Sequence, residues 1–321
     1  MGVNWIYETN NIKGVYRMYF KEEINGWDSW GKVFNSLEAF RELVLAIFEK
    51  ERIQVREELE NLTPGTNAVF KAGDIVIKIF APDESGLGTE TDYQTELSVM
   101  KHLGEKGVAA PGIIACGEIK DRYLFRYILM EYAKGEEAGR VLPSYTTVQK
   151  KEIVKQLKRV LKILNQPAEE LLPKRDLKKQ AADNFRLKGL SETLILELGA
   201  CVQKQEISNC CLVHGDITGE NVLIDSEGSL RLIDFADCNL APAYYELAPI
   251  IFELFRGDKE YVSEFVGEET HEEFFEQLMK GLALHDFCGN IIKDYLTRLQ
   301  IPYESVANLE ELRGIIRSNI F

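Results

Sequence analysis

The feature that most constrains this chain is a pair of polar motifs set among short apolar runs. His214-Gly215-Asp216-Ile217-Thr218-Gly219-Glu220-Asn221 is followed by Leu232-Ile233-Asp234-Phe235-Ala236-Asp237. Cys210-Cys211-Leu212-Val213 leads into the first motif, and Val222-Leu223-Ile224 leaves it. Apolar runs this short, bounded by turn residues, read as strands. Ser226-Glu227-Gly228-Ser229 reads as a turn, and Leu230-Arg231-Leu232-Ile233 as the return strand that stops at Asp234. The first motif is then a loop between strands, and the second begins where a paired strand ends. Asp216, Asn221 and Asp234 therefore sit where side chains converge on a cleft. Either motif alone would suit a hairpin whose Asp and Asn merely cap turns. Both together, in order and joined by a hairpin, favour the cleft.

The 321 residues are enough for two lobes with separate cores. No apolar run approaches the length of a membrane span, and the N-terminus lacks a basic start followed by an apolar stretch. A cytoplasmic location is the expectation. Cys116, Cys201, Cys210, Cys211, Cys238 and Cys288 form no C-x-x-C pair, which points to free thiols and away from a zinc site. A net charge of −14 argues against nucleic-acid binding, and it suits either a cationic small-molecule partner or plain solubility.

Upstream, Asn61 to Asn67 is turn-rich, Ala68 to Lys71 reads as a strand, and Ile75 to Phe80 as a second after the turn at Ala72-Gly73-Asp74. Such a hairpin can lay the backbone N–H groups of Gly65, Thr66 and Asn67 against phosphate oxygens. The loop has neither G-x-G-x-x-G nor a Walker A lysine. Lys78 alternates with apolar neighbours. On a central strand it needs an anionic partner; on an edge strand it would reach out to water. Gly86-Leu87-Gly88 reads as a flexible connection. In the helical stretch from Thr89 to Leu103, Tyr93, Leu97, Met100 and Leu103 share a face that Glu96 borders. Ala110-Pro111-Gly112 breaks the chain. Two further strands follow at Ile113 to Cys116 and Leu124 to Met130, the latter running into Glu131-Tyr132-Ala133-Lys134-Gly135.

These residues resemble the aminoglycoside phosphotransferase and choline-kinase-like small-molecule kinases, a branch of the protein-kinase-like fold. The marks are His-Gly-Asp at 214–216 in place of His-Arg-Asp and Asp-Phe-Ala at 234–236 in place of Asp-Phe-Gly, and the match runs from about Leu62 to Glu253. The resemblance implies a two-lobed α+β fold, with an antiparallel sheet and a helix in the small lobe and a larger, mostly helical lobe. Residues 1–60 would be an extension packing on the small lobe, 61–132 the ATP-binding small lobe, and 133–321 the catalytic and substrate-binding lobe.

It implies ATP and Mg²⁺ as cofactors, with Asp216 as the base that orients and deprotonates an acceptor hydroxyl and Asn221 and Asp234 as metal ligands. Lys78, held by Glu96, would position phosphates beneath Gly65, Thr66 and Asn67. Met130, Glu131 and Tyr132 would meet the adenine edge through main-chain groups. His214 would brace the loop.

Thr218 stands where protein kinases usually carry a lysine, and Ala241-Pro242-Ala243 follows Asp234 too soon for a peptide platform. Tyr244-Tyr245-Glu246-Leu247-Ala248 reads as the start of a helix. Thr218-Gly219-Glu220-Asn221 departs from the family's frequent His-Pro-Gly-Asn, which leaves the acceptor open. Asp237 suits a cap, a solvated group, or a contact to metal or to a substrate amine.

Helices are expected at Val148 to Leu164, with Ile153, Leu157, Val160, Leu161 and Leu164 inside, and at Leu190 to Val202. Glu264, Glu268, Glu269, Glu272, Glu273 and Glu276 form an acidic run that suits substrate amines or a solvated face. The expected acceptor is an aminoglycoside-type antibiotic. Alternatives are choline, homoserine or a ketosamine, or a non-catalytic regulator that binds nucleotide. Near the N-terminus, Trp5, Trp27 and Trp30 suggest an ordered piece. Asn35 with Glu38 resembles a helix start before a stripe of Leu37, Phe40, Leu43, Val44 and Ile47.

Overall fold

A computed structural model describes residues 18–63, 65–108, 110–182 and 187–321; Trp5 lies outside them. The chain divides into two compact units, Met1–Thr89 with Ala115–Leu129, and Glu90–Ile114 with Met130–Phe321.

The first unit carries α1 (Trp27–Val33), α2 (Leu37–Lys50), β1 (Leu59–Asn61), β2 (Ala68–Ala72) and β3 (Ile75–Ile79), together with most of β4 (Ile113–Lys120) and β5 (Leu124–Glu131). The five-stranded sheet runs β1-β2-β3-β5-β4. The β2–β3 hairpin is antiparallel and sets Val69 opposite Lys78. Its turn places Gly73 at φ 59, a left-handed backbone that glycine adopts freely. Lys78 thus lies on the middle strand and is buried, so it does not reach water from an edge.

Phe20, Trp30, Phe40, Phe70, Phe125 and Tyr127 form one core, with Phe20 and Phe40 ring centroids 4.9 Å apart and Phe40 and Phe70 5.5 Å apart. The segment before β1 therefore shares the sheet's core. The cap of α2 falls at Ser36, whose hydroxyl accepts the Ala39 N–H, one residue beyond the Asn35 expected. Phe40, Leu43, Val44 and Ile47 are buried as the stripe requires.

The second unit begins with α3 (Glu90–Lys106). It continues through β6 (Glu136–Glu137), α4 (Ala138–Val141), α5 (Thr147–Leu164), α6 (Leu177–Ala181) and α7 (Glu192–Lys204). Then come β7 (Cys210–Val213), β8 (Val222–Ile224), β9 (Leu230–Leu232) and β10 (Asn239–Pro242). A 3₁₀ turn at Ala243–Glu246 and a π-helix at Pro249–Leu254 precede α8 (Lys259–Val266), α9 (His271–Leu284), α10 (Cys288–Arg298) and α11 (Leu309–Ile320). β8 and β9 form the expected hairpin, with β6 joined to β8, and β10 pairs antiparallel with β7.

A capping box of Thr146 and Gln149 starts α5. Its inner face differs from the expected stripe. Val154 and Lys150 are buried, while Val160 and Leu161 are half-buried. Lys150 is tolerated inside because Asp258 lies 2.6 Å and Glu260 3.1 Å from its ammonium, joining α5 to α8.

At Gly281 on α9 an added Cβ would lie 2.0 Å from the Tyr244 carbonyl oxygen. The helix thus rests directly on the backbone of the 3₁₀ turn. Gly281→Ala is expected to destabilise the protein by about 2 kcal/mol or more, the usual scale of overpacking against atoms that cannot yield. Denaturant unfolding would measure it.

Among the described residues no helix is long and apolar enough to cross a membrane.

Candidate active site

The first polar loop is held by backbone groups that the sequence could satisfy only at a distance. β7 delivers His214, which is fully buried, and then Gly215 at φ 81. A Cβ at Gly215 would lie 2.6 Å from the Asp237 carbonyl oxygen, so a glycine is needed for the first loop to lie against the second. The Glu246 carboxylate, buried at the end of the 3₁₀ turn, accepts the N–H groups of His214 and Gly215, the latter at 3.2 Å. Nδ1 of His214 accepts the Asp216 N–H at 3.3 Å, so its Nε2 is the protonated nitrogen and donates to the Ile233 carbonyl at 3.2 Å. One imidazole therefore ties the Asp216 turn to the strand end before Asp234, the bracing role expected of it.

Asn221 donates through Nδ2 to Asp216 Oδ2 at 2.6 Å and to the Asp216 carbonyl at 3.0 Å. The Asp216 oxygens accept, so the amide turns its nitrogen, not its oxygen, toward Asp216. Asp234 has a left-handed backbone, φ 62, and its Oδ1 accepts the Ala236 N–H at 3.5 Å. Asp and Asn bear that conformation better than most residues.

Burial, then the neighbouring Asp237 and Asp234 carboxylates, push the Asp216 carboxyl up to about 8; the Asn221 hydrogen bond opposes them. Burial first, and then the charge of Glu246, Asp237, Glu96 and Asp234, pushes the fully buried Cys238 thiol well above its ordinary value. Cys238 is thus an inert filler, and Glu96 and Asp234 act on the same buried place. The site gathers negative charge around the half-buried Asp216.

Two cavities open on Asp216, Thr218 and Glu253. The larger, about 450 Å³, is also lined by Glu137, Arg140, Glu220 and Arg256. The smaller, about 170 Å³, is also lined by Phe287, Asn290, Ile291 and Asp294. Glu253 lies on the π-helix and is gripped by Arg298 at 3.3 Å. A wide turn of this kind is often found at functional sites.

The second unit brings Asp216, Asn221 and Asp234 together and contains Glu96, Met130, Glu131 and Tyr132. Lys78, Gly65, Thr66 and Asn67 belong to the first. Gly65 and Thr66 are exposed. The Asn67 side chain instead turns inward, and its Oδ1 accepts the Ala81 N–H at 3.1 Å. The Glu131 N–H donates to the Gly112 carbonyl at 2.9 Å, so that group is already engaged in the segment expected to meet adenine.

The acidic run lies elsewhere. Glu272 pairs with Arg317 at 2.9 Å, Glu276 with Arg313, and Glu264 with Lys151 at 3.8 Å; Glu269 accepts from Gln277, and Glu273 belongs to the α9 cap. None of these lines either cavity. The carboxylates that do are Glu137, Glu220, Glu253 and Asp294, which sequence reasoning did not single out as acceptor contacts. Glu246 was also missed as a brace, although it is a lone acid in an apolar run, Tyr245 to Phe255 apart from Glu253, and that was the available signal.

The geometry sets the loop of Asp216 and Asn221 beside the loop of Asp234, in a kinase-like α+β fold. The model of the phosphotransferase enzyme family matches residues 65–281, and the chain belongs to that family. No curated protein matches the sequence. Among solved structures, the GDP and kanamycin complex of APH(2″)-IIia is 17% identical, with a TM-score of 0.63 over 88% of this chain and 100% of that one. The streptomycin and ATP ternary complex of APH(2″)-IIa is 14% identical, with 0.57 over 82% and 94%. The ADP and hygromycin B complex of a thermostable mutant of aminoglycoside phosphotransferase APH(4)-Ia is 15% identical, with 0.56 over 86% and 98%. Fold and family together define a phosphotransferase.

Proposed function

We propose that this protein transfers the terminal phosphoryl group of ATP to a hydroxyl of a small molecule, with Mg²⁺. The observation that carries the reading is the geometry that sets Asp216, its Asn221 partner and Asp234 side by side, with the His214 imidazole tying the Asp216 turn to the strand end before Asp234. Among the described residues no three His, Cys, Asp or Glu side chains gather closely enough to hold a metal by themselves. Asp234 and the Asn221 amide oxygen instead supply hard oxygen ligands. That suits Mg²⁺, which is usually held by one or two carboxylates with water and substrate phosphates. When bound, the ion neutralises charge on the phosphates.

Asp216 then accepts the proton of the acceptor hydroxyl, Asn221 fixes the orientation of that carboxylate, and His214 and Glu246 hold the turn beneath it. Lys78, with Glu96, would position the phosphates. The main chain at Gly65 and Thr66 would cover them, while the Asn67 side chain keeps its loop on the sheet. Main-chain groups of Met130 to Tyr132 would take the adenine.

Aminoglycosides are the first acceptors to try, because the solved relatives named above are aminoglycoside kinases, and Glu220 and Asp294 offer carboxylates in the cavities that open on Asp216. Amino alcohols of metabolism are the second. ADP release across a library of hydroxyl compounds, with Asp216→Asn as the control, tests the reading. Turnover by the wild type alone supports it. No turnover above the variant, with ATP still bound, would make the protein a nucleotide-binding regulator, and phosphorylation of peptides would make it a protein kinase.

A further inference from the structure

The space around Asp216 is not uniformly acidic. Glu137 lies 3.0 Å from Arg140, and Glu253 is held by Arg298, so those charges are already compensated. Three charges are not. No described group accepts a hydrogen bond from the Arg256 guanidinium, and none donates one to the Glu220 or Asp294 carboxylate; Arg256 is the cation of the three, and Glu220 lines its cavity. Arg256 lines the larger cavity and Asp294 the smaller, and the two cavities meet at Asp216, Thr218 and Glu253.

The backbone gives a second, independent reason to look at Arg256. It has φ 53, directly before Gly257 at φ 73. A left-handed conformation costs an L-residue roughly 1–2 kcal/mol, and at the end of a helix glycine usually takes it. Here the turn closes the π-helix through Gly257 N–H to the Ile251 carbonyl and Asp258 N–H to the Phe255 carbonyl, both at 2.9 Å. The chain thus keeps an arginine where its backbone favours glycine, on a turn that is pinned at both sides. The backbone that carries the exposed Arg256 side chain is therefore fixed, and the planar fork of its guanidinium matches a carboxylate.

We infer that the acceptor is a zwitterion, a hydroxylated amino acid whose carboxylate meets Arg256, whose ammonium meets Asp294, and whose hydroxyl is presented to Asp216. One unpaired guanidinium balances one negative charge, which suits a carboxylate better than a phosphate dianion. This rests on the phosphotransfer reading and narrows it: the uniformly cationic aminoglycosides would leave Arg256 without a counter-charge.

The test is ADP release with serine, threonine and homoserine, set against ethanolamine and 3-aminopropan-1-ol, which lack the carboxylate, and against kanamycin. The wild type is expected to favour an amino acid over its amino-alcohol counterpart by about tenfold or more in kcat/KM, the scale of one charge-assisted hydrogen-bonded pair. Arg256→Gly removes the backbone strain, so its Tm should be no lower than that of the wild type. That preference should nevertheless collapse, through a KM for the amino acid raised about tenfold with little change in kcat. Arg256→Lys, which keeps the charge and loses the fork, should fall between. Asp294→Asn should raise KM for amino acids and amino alcohols alike. Amino alcohols or kanamycin used as well as amino acids, with a ratio that Arg256→Gly leaves alone, would overturn the inference and leave phosphotransfer standing. No turnover of any compound, with ATP bound, would overturn both.

Discussion

Asp216→Asn is expected to lower the rate of acceptor phosphorylation by about 10³-fold, within the range that positioned proton transfer supplies. An amide cannot accept the hydroxyl proton, and it adds a donor beside Asn221, whose nitrogen already faces this position at 2.6 Å. ATP binding should survive. The same substitution should stabilise the cation-free protein. The Asp216 carboxyl sits near 8 in the fold against an ordinary 3.8, so the folded state holds its proton longer than the unfolded chain does. Its contribution to stability is therefore lost as pH rises from about 4 through about 8. The gain from the variant grows over that window and levels off above it, on the order of 2 kcal/mol once solvent screening is discounted. Mg²⁺ with nucleotide should reduce the gain, because a cation relieves the repulsion that the amide removes. Thermal unfolding of both proteins at pH 5 and pH 9, with and without Mg²⁺, would measure each part. A variant less stable than the wild type at pH 9 without Mg²⁺ would refute the electrostatic account.

Glu246→Ala should be the most damaging substitution outside the cavities. It deprives the buried N–H groups of His214 and Gly215 of their acceptor and leaves a hollow beneath the loop. Unsatisfied buried donors cost about 1–3 kcal/mol each and a cavity adds to that, so a loss of roughly 4 kcal/mol is expected. Glu246→Gln keeps the volume and one accepting oxygen and should lose less. Burial pushes Glu246 up to about 7 from 4.5, against the pull of those two N–H groups. Its contribution to stability is thus lost as pH rises from about 4.5 through about 7, and the glutamine variant should narrow its deficit over that interval. Urea unfolding would give the stability change, and kcat on the same preparations would show how far the Asp216 turn depends on this brace. An alanine variant as stable as the wild type would refute the bracing role.

Much of the site was legible because it is local. Strand, loop, strand, turn and strand from Cys210 to Asp234 are short apolar runs separated by turn residues, and each is visible without knowing its neighbours. The features that escaped depend on residues far along the chain. β10 contains Pro242 and reads as a loop; its partner is β7. Glu246 looks like one more polar residue in a helix start until its acceptor role for backbone N–H groups some thirty residues earlier is seen. The acidic run from Glu264 to Glu276 suited a binding surface or a solvated face; Arg313 and Arg317 of α11 occupy two of its glutamates. Carboxylate density in a sequence does not say which carboxylates are paired. Nor does the run Ile250 to Phe255 reveal that its turn is wider than an α-helix.

That wider turn has a consequence for how the acceptor can change over time. In an α-helix each residue advances the chain by about 100°, and a π segment holds one extra residue in its turn. Deleting one residue of Pro249–Leu254 ahead of Glu253 would let the segment relax to an α-helix, because the turn then loses its extra residue. Residues beyond the turn, Arg256 among them, would keep their facing, while those within it would be re-aimed; Asp216, Asn221 and Asp234 stand on separate loops and would keep their places. A one-codon deletion would thus re-aim Glu253 in the cavity without touching Asp216, Asn221 or Asp234. Under the proposed phosphotransfer, the number of residues in one turn, as much as the identity of its side chains, would bear on which acceptor the cavity takes.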